Sequence, residues 1–269
     1  MLEPKFLEKL KSPDVNNVLL VGCGGGYDFI HSMLIYPALQ ELGKNIIIGS
    51  YSFGLLDKLP ADAETCFVDK EVLVRKVTGS MTGDRHYAPE INLCKFLDSR
   101  YPEAPHWVYA YYARDFTVRK LTKFYRHLCD EHDIDCIIAF DGGSDSLMVG
   151  DEAGLGDVVE DLVTVTAISL LDNSLIKLLC VIGMGGDRFN DVSDASALRA
   201  VSELQRSGSF LGCIGIENTG KSYHFYRECV DFINNLQTFT SNISGLILGS
   251  IEGYFGNIDI PNYLKRNLD

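Results

Sequence analysis

The sequence is short of positive charge. Lys and Arg number 24 against 37 Asp and Glu, a formal net charge of −13, so the basic footprint that non-specific nucleic-acid binding requires is missing. Long apolar runs are missing too. No stretch approaches the roughly 18 residues of a membrane helix, and the opening MLEPKFLEKLKSPD reads as a charged amphipathic segment rather than a leader. The eight cysteines include no CxxC pair, and most fall in apolar patterns. That excludes a zinc ribbon and a disulfide framework, and it points to reduced thiols in a cytoplasmic protein. None of the six histidines stands at metal-ligand spacing from another. No repeat, low-complexity tract or long linker divides the chain. The expected partner is therefore a small molecule, with no nucleic acid and no membrane, and self-association stays open.

What is present is a chain of 269 residues with 46% hydrophobic content, enough to enclose a core without disulfide or metal staples. Short apolar runs stand at Asn17–Val21, Asn45–Ile48, Thr65–Val68, Trp107–Tyr112, Cys136–Phe140, Leu178–Ile182 and Phe210–Ile216. They are β-branched and apolar on both faces, as buried parallel strands are. Segments of helical period lie between them, at Asp28–Leu42, Pro89–Ser99, Thr117–Glu131, Asp157–Leu171, Asp194–Arg206, Ser222–Leu236 and Asn242–Gly253. This alternation predicts one α/β domain over residues 1–269, a doubly wound, mostly parallel sheet with helices on both faces. Val77–Tyr87 reads as an exposed loop near the site, and Asn242–Gly253 as a core helix. The Thr117–Glu131 segment carries Arg119, Lys120, Lys123 and Arg126, which reads as a solvated face.

Three of the predicted strands end in the same chemistry. The first runs into Gly22-Cys23-Gly24-Gly25-Gly26-Tyr27-Asp28, another into Asp141-Gly142-Gly143-Ser144-Asp145-Ser146, and a third into Gly183-Met184-Gly185-Gly186-Asp187. In an open parallel sheet, ligands bind outside the carboxyl ends of the strands. Glycine there lets backbone N–H groups approach an anion. Carboxylates at the same rim suit a metal ion, ribose hydroxyls or a general base.

Two familiar patterns fit less well. Gly22-x-Gly24 begins a dinucleotide fingerprint, but Tyr27 holds its third glycine position, and Ile48-Gly49-Ser50-Tyr51 offers no ribose-binding acid. Gly215–Ser222 (GIENTGKS) matches the phosphate-loop pattern in full, and an NTPase would use Lys221 and Ser222 on phosphates and Mg²⁺. Too little chain follows Ser222 for the rest of that core, so the NTPase would need a permuted order. Cys23 reads as a core thiol, and His86 is the histidine placed best for chemistry.

The segment Asp141–Glu152 (DGGSDSLMVGDE), followed by Ala153-Gly154-Leu155-Gly156 and Glu160-Asp161, resembles the domain-of-unknown-function 1152 family. So do the opening Gly22–Asp28 loop, Pro89-Glu90, Gly183–Asp187 and Gly253–Gly256. The family pattern often has histidines where Asn190 and Asp194 stand here, and its late Asn and Ser appear as Ser244 and Leu246. The resemblance implies a Rossmann-like α/β fold and a shared site at the glycine–aspartate loops, and no particular reaction.

Together these readings predict an enzyme that performs hydrolysis or group transfer on a nucleotide, nucleoside or phosphorylated small molecule. Asp28, Asp141 and Asp145 are the expected catalytic residues. Gly24, Gly25, Gly26, Gly142, Gly143, Ser144, Ser146, Gly185, Asp187 and Glu90 are expected to line the ligand. Asp141, Asp145 and Asp151 are the expected ligands of Mg²⁺ or Ca²⁺, which suit oxygen donors. The alternatives are a non-catalytic nucleotide sensor and the permuted NTPase.

Overall fold

The structure is a computed structural model and describes residues 3–54, 63–69, 72–112 and 117–254. Seven strands form one sheet: β1 (Asn17–Gly22), β2 (Asn45–Ser52), β3 (Glu64–Asp69), β4 (Val72–Thr78), β5 (Trp107–Tyr112), β6 (Cys136–Asp141) and β7 (Ile176–Val181). Their order is β3-β4-β5-β2-β1-β6-β7. Five of them pair in parallel, from β5 through β2, β1 and β6 to β7. β4 runs against both of its neighbours.

The helices are α1 (Lys5–Lys11), α2 (Asp28–His31), α3 (Tyr36–Glu41), α4 (Pro89–Arg100), α5 (Val118–Glu131), α6 (Val158–Ser169), α7 (Asp194–Ser207), α8 (Lys221–Leu236) and α9 (Asn242–Ile251). The central strand shows why they take two layers. Val18, Leu19, Leu20 and Val21 are all fully buried, yet successive side chains point to opposite faces. Val18 and Leu20 join a core that includes Phe29, Phe96, Leu97, Tyr226 and Val230 from α2, α4 and α8. Leu19 and Val21 join Leu121, Phe124, Tyr125 and Leu128 of α5 and Ala167 of α6. The amphipathic α5 keeps Arg119, Lys123 and Arg126 on its exposed side, as expected of a solvated face.

Two expectations need correction. Phe210–Ile216 is not a strand; it crosses the surface without regular structure, Gly212 adopts φ +114° against Pro4, and Ile214 is exposed. The seventh strand is instead β4, which begins in a stretch passed over in the sequence and takes Val77 and Thr78 from the expected loop. Consecutive Arg75 and Lys76 obscure its period of two, although Val74 and Val77 are buried. The Asp28–Leu42 helix is also broken, a turn of 3-10 helix at Ser32–Leu34 separating α2 from α3. α9 buries Ser244, Ile247 and Leu248, as a core helix does. Of the late Gly253–Gly256 motif, Phe255 and Gly256 lie outside the described residues. No helix among the described residues is long and apolar enough to cross a membrane, and all eight cysteines are free thiols.

Candidate functional site

The chain lays strands outward from β1 through β2 to β5, then returns to place β6 and β7 on the other side of β1. The direction reverses between β1 and β6, and it is at the carboxyl ends of the strands beside such a switch point that open parallel sheets bind ligands. The Gly22–Asp28 and Asp141–Ser146 loops leave the sheet there.

Hydrogen bonds tie the three glycine–aspartate loops together. Gly142 N–H donates to Asp28 Oδ1 at 3.2 Å, joining the second loop to the first. Ser144 N–H donates to Asp187 Oδ2 at 2.5 Å, joining the second to the third. Asp141 accepts from Gly143 N–H at 2.6 Å, from Ser146 N–H at 3.3 Å and from the Ser146 hydroxyl. Asp145 Oδ2 accepts from Asp157 N–H at 2.8 Å.

The glycines are there for closeness. A Cβ on Gly143 would lie 1.9 Å from Asp187 Oδ2. At Gly24, where φ is +91°, a Cβ would lie 2.0 Å from Asp161 Oδ1 and 3.0 Å from Asp28 Oδ2. No side chain fits at either place, and an L-residue is strained at the second.

These bonds revise the expected role of the amides. Gly142 and Gly143 give their N–H groups to Asp28 and Asp141, and Gly26 gives its own to Tyr51 O at 3.2 Å. The ring of Phe53 lies over Gly25 and Gly26. Three of the five expected donors, Gly26, Gly142 and Gly143, are thus taken by the protein's own acceptors, and carboxylates stand beside them. Gly185 sits at the rim beside the Arg188–Asp194 ion pair.

Asp141, Asp145, Asp161 and Asp187 are 2%, 6%, 5% and 5% exposed. Burial penalises an ionised carboxylate, and each neighbouring charge adds to the penalty. Burial, then the Asp141 charge, raises Asp28 well above the ordinary range, against the Gly142 N–H bond. Asp141 is pushed up to about 7, by burial first and then by the Asp145 charge, with the Ser146 and Gly143 bonds opposing. Asp161 is pushed up to about 12 by burial and by the charges of Asp141, Asp28 and Asp145. Burial, followed by the Asp145 charge, raises Asp187 too. At neutral pH the cluster therefore holds protons that exposed carboxylates would have released.

Three expected residues lie elsewhere. Asp151 is exposed, and Asp161 takes its place: one oxygen each from Asp141, Asp145 and Asp161 lies within 4.8 Å of the others. Glu90 is buried between α4 and β2, where it accepts from the Ser50 hydroxyl at 2.8 Å; it holds two elements together rather than joining the cluster. His86 pairs with Thr238 at 2.9 Å on an exposed loop. The histidine at the site is His31, fully buried, with Nδ1 2.8 Å from the Tyr226 hydroxyl and Nε2 4.0 Å from Asp28 Oδ1. Burial lowers its pKa to about 3, so it is neutral. Cys23 is a buried thiol held protonated by burial and by Asp161, as a core cysteine is.

Asp161 and His31 were not among the expected site residues, although each leaves a mark. Asp161 shares an apolar helical face with buried Thr164 and Ile168, three and seven residues on, where a carboxylate needs a reason. His31 follows Asp28 by one helical turn.

The phosphate-loop match fails on geometry. No strand precedes Gly215, and Lys221 pairs with Glu41 at the end of α3, just before β2 begins. That is the opposite end of the sheet from the cluster. A cavity of about 940 Å³ also opens near that end, lined by Asp14, Arg126, Asp133 and Asn173 among others, and includes none of the strand-end loops.

Fold and site define a doubly wound α/β protein with a buried carboxylate cluster at its switch point. The chain belongs to the family described as protein of unknown function (DUF1152), whose model matches residues 19–266. No curated protein and no solved structure matches it.

Proposed function

We propose that this protein is an enzyme that performs hydrolysis or group transfer on a nucleotide-like small molecule at the switch point of the sheet. The observation that carries the reading is the convergence of Asp28 and Asp141, joined through the Gly142 and Gly143 amides, at a place where parallel sheets bind ligands. Catalytic acids and bases work best when their pKa lies near the operating pH, and burial among like charges is how carboxylates reach it. Asp28, held protonated by burial and oriented through Gly142 N–H, is the proposed proton donor to the leaving group. Asp141 and Asp145 would face the reacting group. With the Gly142, Gly143 and Ser144 amides committed to carboxylates, phosphates would be met through a cation rather than through those amides. Free thiols at all eight cysteines support a reducing, cytoplasmic setting.

A thermal-shift panel of nucleotides, nucleosides and sugar phosphates, with and without Mg²⁺ or Ca²⁺, tests this. The ligand that stabilises the protein is then followed by mass spectrometry. The expected result is conversion, lost by about 10²-fold or more in Asp28→Asn, while the variant still binds. Binding without conversion would favour the sensor alternative, and no binding at all would remove the proposal.

A further inference from the structure

We infer that Asp141, Asp145 and Asp161 together hold one hard divalent cation. Their ligand atoms lie within 4.8 Å of one another. Two oxygens on opposite sides of the ion span roughly 4.0–4.2 Å for Mg²⁺ and roughly 4.6–5.2 Å for Ca²⁺, so the spacing suits one shared ion and favours the larger.

Two buried atoms, one in the cluster and one beside Asp28, lack partners among the described residues. Asp161 Oδ2 has no hydrogen bond, although Asp161 is 5% exposed. His31 Nε2 has none either, is fully enclosed, and faces the Asp28 flank of the cluster. Buried polar atoms are normally satisfied, and an orphan at a site points to something that completes it. Two glycines pack directly onto the cluster. Gly24 stands beside Asp161, and Gly156 beside Asp145, where a Cβ would come within 2.6 Å of Asp145 Oδ2. None of the ion pairs among the described residues involves the three carboxylates, so no described side-chain cation relieves their repulsion. Oxygen-only donors select hard cations over thiophilic ones. The inference adds a cofactor to the proposed reading but is read without any substrate, so absence of turnover would leave it standing.

The test uses the full chain, stripped with a chelator, and isothermal titration with MgCl₂ and with CaCl₂. Saturable binding of one ion per chain is expected with at least one of them. Asp161→Asn should weaken it by at least about tenfold, with an unchanged circular dichroism spectrum. Asp151→Asn, on the exposed loop, should bind as the wild type does. Mn²⁺ added to isotope-labelled wild type gives a second readout that does not depend on how the Asn variant folds. It should broaden the amide signals of Gly24, Gly143 and Asp145 first. The inference is overturned if neither ion binds at millimolar concentration, if Asp161→Asn binds as tightly as wild type, or if Mn²⁺ broadening centres elsewhere.

Discussion

The smallest chemical differences decide the most at this site. Gly143 lacks a single carbon, and the space it leaves is filled by Asp187, which in turn holds Ser144 N–H. Gly143→Ala should displace Asp187, break that bond and lower stability by about 1–3 kcal/mol, measurable as a lower urea midpoint at unchanged slope. His31 offers a second measurement. Its native pKa of about 3 lies below the 6.5 of an exposed imidazole, so between those values the unfolded chain binds the additional proton. Its contribution to stability is therefore complete above pH 6.5 and declines as pH falls toward 3. The raised carboxylates act with the opposite sign, but they are common to wild type and variant. The stability difference between wild type and His31→Gln should thus shrink from pH 7 to pH 4. A difference that stays flat would mean that the imidazole titrates as if it were in water.

Among the elements, strands and helices owe their legibility to different things. Helices were readable because their caps and apolar faces are local. Ser193 accepts from Ser196 N–H at the start of α7, and Ser241 from Ser244 N–H at the start of α9. Strands depend on partners elsewhere in the chain. Phe210–Ile216 has a strand-like composition, yet no neighbour pairs with it, whereas β4 has a poor pattern and two neighbours. Composition cannot supply the ladder that makes a strand. Hydrogen exchange should report this: amides of Val18–Val21 and Ile137–Phe140 should exchange at rates near global unfolding, and those of Cys213–Ile216 orders of magnitude faster. The same pairing failure removes the phosphate loop, since that motif needs a strand to aim it. Lys221→Ala should leave the binding of any switch-point ligand unchanged and lose only the pairing with Glu41 on the surface; a loss of nucleotide binding in this variant would reinstate the loop.

At the scale of the whole molecule, the doubly wound class followed from apolar strands buried on both faces, alternating with helices. The convergence of the loops at Gly22, Asp141 and Gly183 followed from that class, because parallel strands deliver all their carboxyl ends to one side of the sheet. The sequence by itself therefore determined the layers, the rim where chemistry would collect, and Asp28, Asp141, Asp145 and Asp187 as members of it. Only the tertiary structure decided which groups meet there. It admitted Asp161 and His31, turned Asp151 out to solvent, set Glu90 behind β2, and committed the Gly142, Gly143 and Ser144 amides to carboxylates. The physical reason is range. Hydrophobic period and cap chemistry act over a few neighbouring residues, while the strand order that sets α6 beside the first glycine loop is fixed by burial across the whole core.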